Sequence, residues 1–286
     1  MNVLTVFLIG VSLLFIGYGL LSLYLIMRLP QNNPKKYMQK TSVPSAIQKQ
    51  KLIVVGNSLT HGTLSAKYVD LLSERLNRDE VHIDIINAGR NGDQAFHVLN
   101  RITEIIKCRP DFITILIGTN DAVNSLDVNT APIFFQRRKL PHPSTLAFFN
   151  SNLHSLVTQL KFETNAKIAL LSLPPIGEDL NHPVAKASTS FSKAIQDISK
   201  QLRVEYLPLH EVMVEYLNNH PAQPKYGYEK RNLVFMKSVF RRILGYSNQK
   251  ISKDLGFHLH IDFLHLNHTG ASMIADMIEA FYKNHN

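Results

Sequence analysis

The sequence predicts a three-layer α/β/α fold with a mostly parallel sheet, preceded by one N-terminal transmembrane helix. From residue 51 onward, short runs typical of buried strands alternate with helix-like spacing of apolar residues. Such alternation is typical of parallel βαβ units whose helices cover both faces of the sheet. The first 27 residues instead contain a long apolar run without charged residues. A chain of 286 residues suits one large domain with an appendage.

The composition is that of a folded protein. Hydrophobic residues make up 45% of the chain and charged residues 19%, with 13 glycines and 13 prolines. These values exclude collagen-like, disordered and low-complexity chains. The chain has one cysteine, Cys108, so a scaffold of internal disulfides is excluded as well.

The N-terminus has the length and composition of a membrane span. Residues 3–27 contain no charged side chain. At about 1.5 Å per residue, a helix of this length exceeds the roughly 30 Å hydrocarbon core of a bilayer. We predict an uncleaved single-pass anchor over residues 1–28, with a cleaved signal peptide and a buried core helix as the alternatives. Lys and Arg follow the apolar run and only the α-amine precedes it, which favours a cytoplasmic location for the rest of this membrane protein.

The positive charge is confined to two stretches. Residues 28–51 contain six basic residues and no acidic one, and residues 225–253 contain eight basic residues and one acidic one. Because the whole chain carries a net charge of +9, the remainder is mildly acidic. This distribution argues against a nucleic-acid partner. Residues 29–50, which contain several Pro, Gln and Asn, predict a linker to a domain over residues 51–286.

Five strands and five helices are predicted in the domain. The strand patterns cover residues 52–55, 81–86, 112–117 and 168–173, with a weaker one at 204–209. The helical patterns cover residues 63–77, 93–107, 146–163, 185–202 and 269–283.

Polar residues and glycines follow the strands, at the edge where parallel sheets bind their ligands. The first strand is followed by Gly-Asn-Ser-Leu-Thr-His-Gly (residues 56–62) and the second by Asn-Ala-Gly-Arg-Asn-Gly-Asp (residues 87–93). Gly-Thr-Asn-Asp (residues 118–121) follows the third, and Asp-Phe-Leu-His-Leu-Asn (residues 262–267) precedes the last helix. The sequence therefore predicts that serine, glycine, asparagine and histidine meet at one edge.

These four motifs, in this order, resemble those of the SGNH (GDSL-type) hydrolase superfamily over most of residues 51–283. The resemblance implies a flavodoxin-like α/β/α fold and an esterase with a serine nucleophile. It implies a catalytic triad of Ser58, His265 and Asp262. It also implies an oxyanion hole whose donors are Gly89, Asn120 and the backbone N–H of Ser58. In one departure, Asn57 stands where the family usually has an acidic residue. The hydrogen-bonding role of the family's carboxylate in this first turn therefore does not carry over directly to this chain.

The chemistry of these residue types agrees with that reading. A serine hydroxyl needs a base within hydrogen-bond reach, and the base needs a group that holds its tautomer. His265 and Asp262, three residues apart, can meet within one turn. The N–H groups of a glycine and an asparagine can stabilise the negative oxygen of a tetrahedral intermediate. We expect no metal and no cofactor.

Other interpretations remain open. Each motif alone is also typical of an ordinary turn or helix cap. A zinc site is a second possibility, because five potential ligands crowd eleven residues: His258, His260, Asp262, His265 and His268. An acyltransferase or a non-catalytic binding module on the same scaffold are further alternatives.

The substrate is expected to be a small-molecule or lipid ester, including lysophospholipids or acetylated compounds. Selectivity should lie in two insertions, residues 122–145 and 215–261. Within the second, residues 230–244 form a basic amphipathic pattern with apolar Leu233, Met236 and Phe240. This pattern predicts either contact with a membrane or an ordinary packed surface helix.

Overall fold

The core of the protein is a sheet of five parallel strands in the order β2-β1-β3-β4-β5. In the computed structural model, residues 28–40, 49–79, 81–126 and 139–286 are described, together with single residues and short stretches between positions 5 and 24. The strands are β1 (Gln50–Gly56), β2 (Ile83–Gly89), β3 (Phe112–Leu116), β4 (Lys167–Leu171) and β5 (Glu205–Leu207). This order is the doubly wound, flavodoxin-like one, which confirms the predicted α/β/α fold with a parallel sheet.

Helices cover both faces of the sheet, as predicted. Before β3 they are α1 (Pro34–Lys40), α2 (Ser58–His61), α3 (Tyr68–Arg78), α4 (Ala95–Asn100) and α5 (Ile102–Ile106). After β3 they are α6 (Thr119–Leu126), α7 (Leu146–Glu163), α8 (Pro183–Leu202), α9 (Leu209–Asn219), α10 (Arg231–Ile243), α11 (Asn248–Leu255) and α12 (His268–His285). A short 3-10 helix, Tyr228–Lys230, precedes α10.

The side chains of the inner strand β1 alternate between two hydrophobic cores. Ile53 and Val55 of β1 pack into a core with Phe149 of α7, whereas Leu52 and Val54 pack into the opposite core with α3 and α12. Successive side chains of a strand point to opposite faces of the sheet, so a strand covered on both sides reads as a continuous apolar run. This pattern explains why β1 was recognisable from sequence.

The carboxyl ends of three neighbouring strands are level with one another. Gly56 at the end of β1 is in register with Gly89 of β2 and with Leu116 of β3. The loops after these strands therefore leave the sheet at the same edge. The strand order reverses direction between β1 and β3, which is where such sheets place their binding sites.

One predicted helix is broken and another is shortened. The pattern over residues 93–107 forms α4 and α5, separated at Arg101, whose buried guanidinium donates to Asp93 and to the carbonyl of Ala88. The pattern over residues 63–77 becomes helical only at α3, because the backbone before α3 forms hydrogen bonds with a distant segment instead of within a helix. There the Ala66 N–H donates to the carbonyl of Leu266 at 2.8 Å.

Part of the predicted linker belongs to the folded domain. The Asn32 carbonyl accepts a hydrogen bond from the Asn87 N–H at 2.9 Å, and the hydroxyl of Tyr37 in α1 donates to Asp84 at 3.0 Å. Both partners lie on β2, the edge strand, whose outer side is thereby covered. The prediction of a linker is wrong for residues 29–40, and residues 41–48 lie outside the described part of the chain.

The N-terminal anchor remains a prediction. Among the described residues, no helix combines the length and the apolar composition needed to cross a bilayer. Most of residues 3–27 lie outside the described part of the chain. The predicted transmembrane helix therefore gains no support from the structure.

The docked segment yields a test of domain boundaries. A chain that begins at residue 49 should have a lower free energy of unfolding than one that begins at residue 28, by roughly 2–4 kcal/mol. The cause is the loss of the buried Tyr37 ring and of the backbone hydrogen bond to β2. Urea denaturation of both chains measures the difference, and Tyr37→Phe in the longer chain isolates the hydroxyl, which contributes about 1 kcal/mol. Equal stability of the two chains would contradict the docking.

Candidate active site

Ser58 occupies the first turn after β1. It begins α2 and is partly exposed at the carboxyl edge of the sheet. The preceding Asn57 is buried and caps α2, because its side-chain oxygen accepts the N–H of Leu59 at 3.0 Å. The amide oxygen of Asn57 can therefore serve as the hydrogen-bond acceptor in this turn without a carboxylate.

The structure brings Ser58, His265 and Asp262 together. The Ser58 hydroxyl lies 3.1 Å from Nε2 of His265, and Nδ1 of His265 lies 2.8 Å from a carboxylate oxygen of Asp262. Asp262 accepts through that contact, so Nδ1 carries the proton and Nε2 can accept from the serine hydroxyl. Both His265 and Asp262 are buried.

Asp262 is held in its ionised form. Burial disfavours the charge, but the neighbouring His265 and the N–H groups of Leu264 and His265 outweigh it, so the pKa of Asp262 lies below its usual value. These N–H groups donate to the other carboxylate oxygen at 2.6 and 2.7 Å. A compact turn thus fixes the carboxylate on the imidazole.

A buried carboxylate that the sequence analysis missed holds the loop before this turn. Glu178 accepts the backbone N–H groups of His258, Leu259 and His260 at 2.7, 2.7 and 2.9 Å. It also accepts Nδ1 of His260 at 2.9 Å. Burial opposes ionisation of Glu178, but these donors hold its pKa below the usual value. Four donors on one carboxylate fix the backbone that leads to Asp262.

The far side of the same loop is held by side chains as well. Ser65 accepts the Leu266 N–H at 2.9 Å, which joins the loop to the segment after α2. The Asn267 amide donates to Ser252 at 2.8 Å, and its oxygen caps α12 by accepting the N–H of Gly270. The loop is therefore anchored on both sides of His265.

Asn120 lies in the first turn of α6, after β3. Its side-chain amide donates one hydrogen bond to the carbonyl of Asp93 at 2.9 Å. The amide has a second N–H, which has no acceptor among the described residues. Its backbone carbonyl accepts from Asn124 and from Gln94, so the residue is oriented from both sides.

Gly89 does not offer its N–H to this site. The Gly89 N–H donates to the side-chain oxygen of Asn87 at 2.9 Å. A Cβ on Gly89 would come within 2.3 Å of the backbone nitrogen of His61, so its absent side chain serves close packing against α2. The structure therefore does not support the prediction of Gly89 as an oxyanion donor.

A second glycine in the same loop has the features expected of a donor. Gly92 has a φ of 74°, a backbone conformation that strongly favours glycine. In the described part of the chain, no acceptor faces its N–H. It directly precedes Asp93, which receives the Asn120 hydrogen bond.

Asp121, next to Asn120, is buried with few donors. Its two carboxylate oxygens lie 3.4 and 3.3 Å from the N–H of Ala95. Burial is the largest cause that raises its pKa, to about 7, and nearby Asp93 adds to the shift. Asp121 therefore titrates close to neutral pH in the folded state.

The residues proposed for a zinc site do not converge. His260 pairs with Glu178 and His265 with Asp262, while His258 is exposed. Within the described ranges, no group of three or more His, Cys, Asp or Glu side chains is arranged to hold a metal ion. The geometry of these residues therefore does not support the zinc alternative.

The first predicted insertion is described only at its ends. Residues 127–138 lie outside the described part of the chain. At the returning end, the Ser144 hydroxyl accepts from the side chain of Gln94 at 2.8 Å. Gln94 also contacts Asn120, so the returning end of the insertion lies close to the Asn120 turn.

Glu178 should control the position of the His265 loop. Glu178→Ala leaves three buried N–H groups without an acceptor, so we expect a loss of roughly 2–4 kcal/mol in stability. Glu178→Gln keeps one oxygen and should lose less. The rate at which a fluorophosphonate reacts with Ser58 should fall in both variants even in the folded fraction. Glu279→Gln, on α12 where the partly buried carboxylate pairs with Lys283, is the matched control, and an unchanged rate in Glu178→Ala would contradict the role.

Asp121 should make stability depend on pH. Because its folded pKa of about 7 lies above the ordinary value of 3.8, the folded state binds the proton more tightly. This contribution is complete below about pH 4 and is lost as the pH rises to about 7, on the order of 2–4 kcal/mol. Asp121→Asn should remove that loss. Compared with wild type, the stability of the variant should therefore be more favourable at pH 8 than at pH 4. Thermal unfolding across this range measures it, and parallel pH profiles would exclude the effect.

Comparisons with known proteins agree with this arrangement. Residues 54–271 match the GDSL-like lipase/acylhydrolase family. A comparison with curated protein sequences gave no match.

The acetyl xylan esterase AlAXEase is 17% identical, with a TM-score of 0.58 over 81% of this chain and 98% of its own. The acetylxylan esterase Axe2 from Geobacillus stearothermophilus is 18% identical, with a TM-score of 0.57 over 82% and 94%. The lipase/acylhydrolase from Enterococcus faecalis is 20% identical, with a TM-score of 0.56 over 82% and 96%. These structures share the fold, and because the family match covers more than half of the sequence, the chain belongs to the GDSL-like lipase/acylhydrolase family.

Proposed function

We propose that this protein is a serine ester hydrolase in which Ser58 is the nucleophile, His265 the general base and Asp262 the residue that orients His265. The observation that carries the proposal is the continuous line of contacts from the Ser58 hydroxyl through His265 to Asp262, at 3.1 and 2.8 Å. A serine hydroxyl is a weak nucleophile at neutral pH unless such a base accepts its proton.

In the first half of the reaction, the Ser58 oxygen attacks the carbonyl carbon of the ester. Its proton passes to Nε2 of His265, and the ionised Asp262 stabilises the imidazolium that forms. When the tetrahedral intermediate collapses, the bond to the alcohol oxygen breaks and His265 returns the proton to that oxygen. The products of this half are the free alcohol and an acyl group on Ser58.

The second half uses the same groups on water. His265 accepts a proton from a water molecule, whose oxygen attacks the acyl carbon, and the bond to Ser58 then breaks. His265 returns the proton to the Ser58 oxygen, so the enzyme is restored and a carboxylic acid is released. In both halves a negative oxygen develops on the former carbonyl.

We assign the stabilisation of that oxygen to the backbone N–H of Ser58, the side chain of Asn120 and, in place of Gly89, the backbone N–H of Gly92. Support comes from the Asn120 amide, which is oriented by Asp93 and has one N–H to spare among the described residues. Gly92 lies on the same loop, with an N–H that meets no acceptor in the described ranges. Fixed donors in a site poor in water are worth about 10²–10³ in rate.

The intact line of contacts favours an enzyme over a binding module on the same scaffold, because such a module has no need for an oriented base. The acetyl xylan esterases resemble this chain at identities of only 17–18%, so their substrate is not transferred here. We propose a small-molecule or lipid ester as substrate, and an N-terminal segment that holds the enzyme at a membrane. An acyl panel of increasing chain length tests the substrate class.

Covalent labelling tests the reaction type. A fluorophosphonate probe should label Ser58, and Ser58→Ala should abolish both labelling and ester turnover, because the nucleophile is lost. Ser190→Ala, an exposed serine on α8, is the control and should behave as wild type. EDTA should leave the rate of ester turnover unchanged, since proton transfer to His265 generates the nucleophile. Labelling at another residue, or inactivation by the chelator, would overturn the assignment.

A further inference from the structure

Helix α10 exposes a stripe of large apolar side chains. Leu233, Met236, Phe240 and Leu244 are 47%, 61%, 59% and 55% exposed. At 3.6 residues per turn, these positions fall within an arc of roughly 80°. Exposed apolar side chains are common singly, but a contiguous stripe marks a binding surface. We call these four residues the α10 stripe.

The other side of α10 is fixed to the active-site loop. Val234 is fully buried, and the Ser238 hydroxyl donates to the carbonyl of Ile261, one residue before Asp262, at 2.6 Å. The ring of Phe235 lies 5.9 Å from the ring of His265. Rolling the helix to bury its stripe would break these contacts. The α10 stripe therefore faces outward as a consequence of how the His265 loop is held.

The α10 stripe continues into the apolar N-terminus. The Tyr18 hydroxyl donates to the carbonyl of Ile243, the last residue of α10. Described N-terminal side chains are also exposed, including Phe7 at 65% and Leu14 at 75%. Two exposed apolar surfaces thus adjoin at the end of α10.

Basic groups surround this junction. A cavity of about 620 Å³ next to it is lined by Arg28, Lys67 and Arg242, and its one carboxylate among the described residues, Asp70, pairs with Lys67 at 3.5 Å. Burial lowers the pKa of Arg242. In the described ranges no acid pairs with Arg242. The cavity therefore offers positive charge to an anion.

We propose that the α10 stripe docks on the surface of an anionic lipid bilayer and holds Ser58 and His265 close to that surface. Arg28 and Arg242 bind lipid phosphates. The proposal deepens the proposed function, on which it rests, by naming a lipid-embedded ester as the substrate class.

The test uses the full chain reconstituted with vesicles. Met236→Cys carries an environment-sensitive fluorophore on the stripe, and Phe162→Cys carries it at the matched control position. Phe162 is 90% exposed at the end of α7, just before β4, and thus lies at the opposite edge of the sheet. The native Cys108 does not compete for the label, because burial raises its pKa to about 11 and hides its thiol.

Lipids brominated in their acyl chains should quench the fluorescence of the label at position 236 and leave the label at position 162 unquenched. Quenching should increase with the fraction of phosphatidylglycerol. It should weaken in Arg242→Gln, by roughly fivefold in apparent binding for the one charge lost. Lys193→Gln, on α8, is the charge control and should show the same quenching as the labelled chain without it.

Three results would overturn the proposal. They are equal quenching at both positions, quenching at neither, and quenching that is the same in neutral vesicles. Concentration-dependent burial of the label without lipid would assign the stripe to a second copy of the chain instead.

A soluble short-chain ester separates this proposal from the proposed function. The triple variant Leu233→Ser, Met236→Ser, Phe240→Ser should turn over the soluble ester as wild type does and lose turnover of an ester embedded in vesicles. Equal loss on both esters would overturn the docking role. Inactivity of the wild type on every ester would reject the hydrolase and leave the quenching result to stand by itself.

Discussion

The hydrogen bond between Ser58 and His265 joins residues 207 positions apart in the chain, and the rest of the structure keeps these side chains at 3.1 Å. The serine side of the bond is set by the inner strand β1 and by the cap that Asn57 places on α2. The histidine side is not part of the sheet, so its loop needs separate anchors. Glu178, Ser65 and Asn267 supply them from three directions.

Three buried carboxylates around the site show how the count of donors decides the charge. Glu178 accepts three backbone N–H groups and a histidine, Asp262 accepts two and a histidine, and both have lowered pKa values. Asp121 accepts from the Ala95 N–H at 3.3 Å and from its own backbone N–H, has the like charge of Asp93 nearby, and its pKa rises to about 7. Burial is the largest cause in all three cases. Hydrogen bonds to the ionised form outweigh it only where several donors converge.

The sequence predicted what depends on local pattern. Strands buried on both faces, helices such as α7 and the close pair Asp262 and His265 all have signals within a few residues. Glu178 had no such signal, because its partners lie 80 to 82 positions away. Gly89 ends β2 and Gly92 lies in the turn that follows, and sequence does not reveal which of the two N–H groups is already bonded to Asn87.

The predicted boundary of the domain differs from the structure for a related reason. Residues 29–40 have the composition of a linker, yet a backbone hydrogen bond from Asn87 and the contact of Tyr37 with Asp84 dock them on β2. Composition reports how much apolar surface a segment can bury. It does not report whether an open strand edge is available to pair with it.

Helix α10 connects the chemistry with the surface of the molecule. Phe235 and Ser238 face the His265 loop, and the stripe on the other side has no cover among the described residues. Because the inner face of α10 packs on the His265 loop, its outer face can be buried only by a partner from outside the described part of the domain. Because the inner contacts involve His265 and the residue before Asp262, a bilayer docked on the outer face, as proposed, would lie about one helix diameter, roughly 10 Å, from the His265 loop. That distance is short enough for an ester whose acyl chain stays in a bilayer to present its carbonyl to Ser58.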